Sequence, residues 1–197
     1  MINVAVDLDE VLCKTVPMAI DYVKSEIDVD LTIYDFTTYN IDENKWTDDL
    51  EVNKHISDCI KEAFYNKDIL SNATPYGGAV DLLSWMRREG HCVYIITGRE
   101  PEFLHTTVEW LKKYNFQFDN VICTGFGNKN EYSKGLNLSY FIDDYHENLQ
   151  GIREVSACPQ KGMVLMNRPW NINACLENPF IRVDNCKEVK DYIKATI

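Results

Sequence analysis

Polar and charged side chains follow three apolar runs of this sequence, at the point where each run ends. Asp7 and Asp9 come directly after residues 2–6, a continuous apolar run that is typical of a buried parallel strand. Thr97-Gly98-Arg99 and Asp143-Asp144 follow two later runs. Ligands of parallel α/β sheets bind beyond the carboxyl ends of the strands. We therefore expect these groups to gather at one sheet edge and to carry out chemistry there.

Acidic side chains gathered at one edge need a cation, because close like charges raise one another's pKa steeply. Mg²⁺ is a hard ion that binds carboxylate, phosphate and water oxygens, so it suits this set of ligands. The four histidines are scattered along the chain and form no zinc-binding pattern. The sequence therefore predicts a Mg²⁺ site among these aspartates.

A phosphate substrate would give each of these groups a role. One aspartate can act as a nucleophile that accepts the phosphoryl group, and a second carboxyl can protonate the leaving oxygen and then activate water. Thr97, a lysine and backbone N–H groups can bind the phosphoryl oxygens. Lys129 and Lys134 are both candidates for that lysine. We favour Lys129, which would open a short helix near the sheet edge, whereas Lys134 fits an exposed helix position.

Strands alternate with helices along the chain, which predicts an α/β fold with a Rossmann-like, doubly wound parallel sheet. Strands are expected near residues 2–6, 91–96, 118–123, 139–142, 163–166 and 180–183. Helices are expected near residues 79–88, 101–112, 146–155 and 187–195, with a short one opening at Lys129 after a glycine-rich loop at 125–129.

A mostly helical segment separates the first strand from the next α/β unit. Apolar residues at three- and four-residue spacing predict a helix over residues 15–27, and Asp48 or Asp49 starts a second one. Between them, residues 31–46 have the composition of loop and turn. We therefore expect a small helical cap at residues 15–74, inserted into a core formed by residues 1–14 and 75–197.

Four segments resemble, in order, the motifs of the haloacid dehalogenase (HAD) superfamily. They are Asp7-Leu8-Asp9-Glu10-Val11, Ile95-Ile96-Thr97-Gly98-Arg99, Lys129 and Phe141-Ile142-Asp143-Asp144. The resemblance implies a HAD-like fold and a Mg²⁺-dependent phosphoric monoester hydrolase. The aspartate at the second acidic position points to the phosphatases of that superfamily over its dehalogenases.

The resemblance also implies a role for each acidic residue. Asp7 would be the nucleophile that forms an aspartyl-phosphate and would also contact the metal. Asp9 would be the general acid and base, and would lend its backbone carbonyl to Mg²⁺. Asp144 is favoured as a direct metal ligand, with Asp143 in or next to the first coordination shell.

The implied phosphate-binding set comprises Thr97, Gly98, Arg99 and Lys129. Two interpretations of Arg99 stay open at this point. It could pair with a phosphate through two parallel hydrogen bonds, or form a salt bridge with one of the glutamates at positions 100 and 102.

Within the superfamily, the chain most resembles the 5′(3′)-deoxyribonucleotidase group. The similar features are the start of the chain, the cap length, Pro75-x-Gly77-x-Ala79, Gly90-His91-x-Val93, Asn148 and Arg168-Pro169-Trp170-Asn171. The chain departs from that group at Glu10, where glycine is common, and in the basic Arg99. The resemblance implies a (deoxy)nucleoside monophosphate as the substrate.

Aromatic residues of the expected cap could stack on a nucleobase, since every base has a π-face. They could equally form the cap's own core, and Trp170 and Asn171 favour a structured turn over a substrate contact. The cap aromatics are Tyr34, Phe36, Tyr39, Trp46, Phe64 and Tyr65.

The net charge of −11 restricts the choice of partner. Polynucleotide binding depends on basic phosphate contacts, so the acidic charge argues against a nucleic-acid surface. A small phosphorylated molecule is the expected partner. A 3′-phosphatase of nucleic-acid ends and a sugar-phosphate phosphatase stay as alternatives, and four motifs together argue against a non-catalytic binding module. The sequence leaves the assembly state open, a homodimer included.

The cysteines and the chain start favour a cytoplasmic protein. Seven cysteines without a C-x-x-C pair suit reduced thiols in a reducing compartment. No signal peptide is visible before the first strand. No apolar run reaches the roughly 18 residues that a membrane span needs, so no membrane partner is expected.

Overall fold

A six-stranded parallel sheet forms the centre of the computed structural model, which describes residues 1–125, 129–155, 158–173 and 180–197. The strand order is β3-β2-β1-β4-β5-β6, with every neighbouring pair parallel. The strands are β1 (Asn3–Val6), β2 (Cys92–Thr97), β3 (Asn120–Cys123), β4 (Leu138–Asp143), β5 (Met163–Met166) and β6 (Ile181–Val183). This is the strand order of the Rossmann-like doubly wound fold, and it confirms the predicted fold class.

Helices cover both faces of the sheet. They are α1 (Thr15–Ile27), α2 (Leu50–Tyr65), α3 (Lys67–Leu70), α4 (Ala79–Arg88), α5 (Leu104–Lys113), α6 (Lys129–Ser133), α7 (His146–Val155) and α8 (Cys186–Thr196). Val4 and Val6 of β1 point into a cluster that includes the buried residues of α1, α2, α4, α5 and α8. Ala5 points to the opposite face, where it joins the buried residues of α7. This alternation follows from the two-residue period of a strand.

The sheet brings the ends of three strands together because β1 lies between β2 and β4. Val6 pairs with Ile95 on one side and with Ile142 on the other, so the three strands end nearly level. The backbone N–H of Asp7 continues this pairing by donating to the carbonyl of Ile142 at 2.8 Å. The polar residues after these strands therefore share one edge.

The segment between residues 15 and 74 contains α1, α2 and α3, and α1 packs against both of the others. Asp49 caps α2 by accepting from the backbone N–H groups of Glu51 and Val52. The two stretches that join this segment to the sheet pair with each other at Cys13 and Pro75. One buried apolar cluster runs from the sheet into α1 and α2. The division into a core and a separate cap domain stays a prediction.

Two features noted in the sequence lie outside the residues that the structure describes. The glycine-rich loop falls largely on residues 126–128, which lie outside them, as does Cys175. The free thiols include Cys13, Cys59, Cys92, Cys123 and Cys186. None of the helices within the described ranges is both long enough and apolar enough to span a membrane.

Candidate active site

Lys129 and two aspartates form the buried centre of the site. The Lys129 Nζ lies 2.8 Å from Oδ1 of Asp7 and 2.8 Å from Oδ2 of Asp143. Asp7 follows β1, Asp143 is the last residue of β4, and Lys129 is the first residue of α6. All three side chains are at most 7% exposed, so one ammonium group bridges two carboxylates away from solvent.

Asp144 joins this centre from the next position in the chain. Carboxylate oxygens of Asp7, Asp143 and Asp144 lie within 4.8 Å of one another. Burial, together with the charges of Asp143 and Asp7, raises the pKa of Asp144 well above its usual range. Burial also raises the pKa of Asp7 to about 7, although Lys129 opposes the rise. With all three carboxyls ionised, the cluster would carry more negative charge than its one ammonium group can balance.

Asp143 and Asp144 differ in how many hydrogen bonds they already accept. Oδ1 of Asp143 accepts from the Tyr145 backbone N–H at 2.8 Å, and its Oδ2 accepts from Lys129 and, at 3.1 Å, from Asn148. The Asp144 side chain accepts from the Trp170 Nε1–H at 2.9 Å, on Oδ2. Asp144 therefore offers an oxygen with fewer competing donors than Asp143 does.

The acidic cluster suits a divalent cation. Three ionised carboxylates and one ammonium would leave a net negative charge that a divalent cation can offset, and carboxylate oxygens are ligands that Mg²⁺ prefers. Histidine and cysteine, the ligands that favour zinc, are absent from this cluster of the described chain.

Asp9 lies beside the cluster and is held by Arg99. The Arg99 Nη2 donates to Oδ1 of Asp9 at 2.7 Å and its Nε donates to Oδ2 at 3.0 Å, which makes a bidentate pair. Thr15 and Thr97 donate their hydroxyls to the same carboxylate. Burial opposes the ionised form of Asp9, yet the Arg99 pair outweighs it and lowers the Asp9 pKa.

The sequence did not predict the partner of Arg99. Arg99 is 6% exposed and its ion pair is with Asp9, not with either of the glutamates that follow it. Thr97 is fully buried and its hydroxyl contacts Asp9. Gly98 lies at the wall of the neighbouring cavity. The phosphate-binding role of these residues stays a prediction.

The alternative lysine lies on the surface. Lys134 Nζ pairs with Glu131 at 2.7 Å, and both side chains are at least half exposed. Lys129 is therefore the lysine whose side chain reaches the aspartates.

A cavity of about 530 Å³ opens directly onto the acidic cluster. Its acidic and basic floor includes Asp7, Asp9, Lys129, Asp144 and Arg99, and its walls include Phe36, Tyr39, Phe64, Tyr65, Phe103 and Trp170. Tyr39 stacks on Tyr145, with ring centroids 3.7 Å apart and planes 10° from parallel.

The cap aromatics divide between the cavity and other positions. Trp46 packs edge-on against Phe36, and its Nε1–H donates to the Ser57 hydroxyl, so its contacts are with the protein itself. Tyr34 is largely exposed to solvent. Phe36, Tyr39, Phe64 and Tyr65 line the cavity, which is the arrangement that base stacking would need.

Tyr145 and Trp170 are among the contributors to this site that sequence reasoning missed. Tyr145 follows the aspartate pair and stacks under Tyr39. Trp170 belongs to a structured turn, as expected, but it also donates to Asp144. Its position after a strand end was the available signal for Trp170.

Comparison with known proteins agrees with this fold. A haloacid dehalogenase-like hydrolase from Streptococcus pneumoniae superposes with a TM-score of 0.65 at 17% identity, covering 98% of both chains. The HAD-hydrolase YfnB from Bacillus subtilis, solved bound to magnesium, superposes with a TM-score of 0.61 at 17% identity, covering 98% of both chains. YqfW of Bacillus subtilis, named as a candidate nucleotidase, is 27% identical over 165 residues, which is 83% of this chain and 77% of YqfW.

The fold and the site define a phosphoric monoester hydrolase of the haloacid dehalogenase superfamily. Residues 1–197 match the family described as 5′ nucleotidase, deoxy (pyrimidine), cytosolic type C protein, and the chain belongs to that family. Both predictions, of the superfamily and of its deoxyribonucleotidase-like group, are confirmed.

Proposed function

We propose that the protein is a Mg²⁺-dependent phosphatase of (deoxy)nucleoside monophosphates that works through an aspartyl-phosphate on Asp7. The observation that carries this proposal is the cluster of Asp7, Asp143, Asp144 and Lys129 at the floor of an aromatic-lined cavity. The family to which the chain belongs supports a nucleotide as the substrate.

Asp7 is the nucleophile of this proposal. Its carboxylate oxygen attacks phosphorus, the bond from phosphorus to the ester oxygen breaks, and the leaving oxygen takes a proton. Lys129 contacts Asp7 and Asp143 at once, so it holds the nucleophile in place and offers positive charge to the phosphoryl oxygens. Water then attacks the phosphorus of the aspartyl-phosphate, which releases phosphate and restores the Asp7 carboxylate.

Asp9 moves the proton in both half-reactions. It gives a proton to the leaving oxygen in the first and removes one from water in the second. Arg99, Thr15 and Thr97 orient its carboxylate. Because the Arg99 pair lowers the Asp9 pKa, we expect substrate binding to loosen that pair when Asp9 has to act as an acid.

Asp7 and Asp144 would hold Mg²⁺ directly, with Asp143 behind them and the Asp9 carbonyl as a further ligand. The unbalanced charge of the carboxylates supports this assignment. Bound Mg²⁺ would supply positive charge that offsets the negative charge of the phosphoryl group.

The cavity supports a singly phosphorylated substrate with a flat apolar part. Arg99 and Lys129 are the basic residues that line it within the described chain, and both already pair with carboxylates. Phosphate beyond a single group would therefore find few free cations. In this proposal residues 15–74 act as the cap, since they supply Phe36, Tyr39 and Phe64 to the cavity wall.

A phosphate-release screen tests the proposal. The substrates are ribo- and deoxyribonucleoside 5′- and 3′-monophosphates, with a sugar phosphate and a 3′-phosphorylated oligonucleotide as contrasts, each with Mg²⁺ or with EDTA. We expect Mg²⁺-dependent release that is fastest from monophosphates of nucleosides. Equal rates on every substrate would contradict the nucleotide preference, and full activity in EDTA would contradict the metal requirement.

A further inference from the structure

Glu10 is a buried carboxylate with no part in the chemistry proposed above. It is 4% exposed and directly follows Asp9. Its backbone is left-handed, with φ at 58°. Such a conformation costs a residue other than glycine roughly 1–2 kcal/mol, and it persists where surrounding contacts impose it. The contacts of Glu10 therefore indicate what it does.

The Glu10 carboxylate contacts three separate stretches of chain. Its Oε1 accepts from the backbone N–H of Val16 at 2.6 Å, in the first turn of α1. Its Oε2 accepts from the Tyr76 hydroxyl and lies 3.6 Å from Nε of Arg168.

Val16 and Tyr76 lie where the chain enters and leaves the helical segment between residues 15 and 74. The entering and leaving stretches also bond to each other, because Lys14 N–H donates to the Thr74 carbonyl at 2.9 Å and Tyr76 N–H donates to the Leu12 carbonyl at 2.9 Å. One carboxylate therefore fastens both stretches to the residue that follows Asp9.

Arg168 holds the same residue from the other side. Its Nη2 donates to the backbone carbonyl of Glu10, and its guanidinium carbon lies 4.4 Å from the centre of the Tyr76 ring. Arg168 begins the turn after β5 that also holds Asp144, through Trp170 and through the Asn171 amide at 2.7 Å from the Asp144 carbonyl. The turn thus contacts both Glu10 and Asp144.

We propose that Glu10, Tyr76 and Arg168 form a clasp that positions Asp9 relative to Asp144. The clasp also sets the distance of Asp9 from Asp7. Glu10 borders the cavity, but in this proposal it and Arg168 are positioning residues that act through Asp9. This inference rests on the proposed function, since its kinetic consequence is the placement of the proton-transferring carboxylate. A misplacement of about 1 Å in an active site can cost on the order of 100-fold in rate.

The test combines kinetics with amide hydrogen exchange on Glu10→Ala, Glu10→Gln and Arg168→Lys. Tyr140→Phe is the matched control, because it removes a buried tyrosine hydroxyl that bonds to Thr196, away from the site. We expect Glu10→Ala to lower kcat by about 10-fold or more while KM changes by less than about threefold. Glu10→Gln keeps an acceptor for the Val16 N–H and should recover part of that loss. Exchange should rise in peptides that cover residues 10–16 and 74–78.

Two results would overturn the clasp. Unchanged exchange in both peptides of Glu10→Ala would show that Glu10 does not hold the two stretches. Faster exchange with a kcat loss no larger than that of Tyr140→Phe would show that the stretches do not position Asp9. If Glu10→Ala fails to fold, Glu10→Gln and Arg168→Lys decide by the same criteria. A wild-type protein that releases no phosphate would contradict the proposed function instead, and exchange alone would then decide whether the clasp exists.

Discussion

Replacing Lys129 with methionine removes the cation that the buried aspartates share while keeping a side chain of similar length. The Lys129 Nζ is 2.8 Å from Asp7 and from Asp143, and carboxylate oxygens of those residues and Asp144 lie within 4.8 Å of one another. Two unit charges 4.8 Å apart repel by about 3.5 kcal/mol at an effective dielectric constant near 20. Breaking a buried ion pair typically costs about 3–5 kcal/mol. We expect Lys129→Met to lose a free energy of unfolding in that range when no metal is present.

Thermal unfolding in EDTA at pH 8, above the Asp7 pKa of about 7, measures this loss. A chain of this size loses about 2–4 °C in Tm for each kcal/mol, so Lys129→Met should melt about 10 °C below the wild type. Added Mg²⁺ should restore more of the variant's Tm than it adds to the wild type. Lys134→Met is the matched control, since an exposed ion pair contributes at most about 1 kcal/mol. Equal Tm values for the two variants, or no extra rescue by Mg²⁺, would show that the buried aspartates do not depend on the charge of Lys129.

Three further predictions each concern one residue. Arg99→Lys should lower kcat by about tenfold, because one ammonium group cannot hold both oxygens of Asp9 as the guanidinium does; an unchanged kcat in steady-state assays would argue against that orienting role. Trp170→Phe removes the N–H that contacts Asp144, so Mg²⁺ titrations of activity should show about tenfold weaker metal affinity, and an unchanged titration would count against Asp144 as a ligand. Burial lowers the pKa of His91, whose ring nitrogens have no hydrogen-bond partner among the described residues. The folded state therefore binds a proton at His91 less readily than the unfolded state does, and the contribution of His91 to stability should fall as the pH drops below about 6.5. Between pH 7.5 and 5.5, urea unfolding should show the free energy of unfolding of the wild type falling relative to that of His91→Phe, and equal changes in the two proteins would contradict this.

Local apolar patterns predicted much of the secondary structure. The helices at Thr15–Ile27 and His146–Val155 and the strand at Met163–Met166 have the predicted bounds, because each has a clear apolar pattern bounded by polar residues. The helix at Lys67–Leu70 was missed, since four residues are too few to show a helical period. Its signal was Asn66, whose side chain caps it.

The site was partly predictable because parallel strands bring their carboxyl ends together. That rule grouped Asp7, Asp9 and the Asp143-Asp144 pair without any knowledge of contacts. The choice of partners was not predictable. Arg99 has glutamates next to it in the sequence, yet it pairs with Asp9, which is 90 residues away.

Glu10 shows the same limit. It stood out in the sequence as a departure, but its partners Tyr76 and Arg168 lie far along the chain, and only the folded arrangement brings them to it.

Phosphate release by the wild type and by Asp7→Asn tests whether Asp7 is the nucleophile. The assay uses p-nitrophenyl phosphate and a nucleoside monophosphate in the presence of Mg²⁺, and mass spectrometry verifies that the introduced asparagine has not deamidated. We expect steady release by the wild type and none above background by the variant, because an amide cannot form the phosphoryl-enzyme. Full activity in an intact Asp7→Asn protein free of contaminating phosphatase would contradict the assignment of Asp7 as the nucleophile.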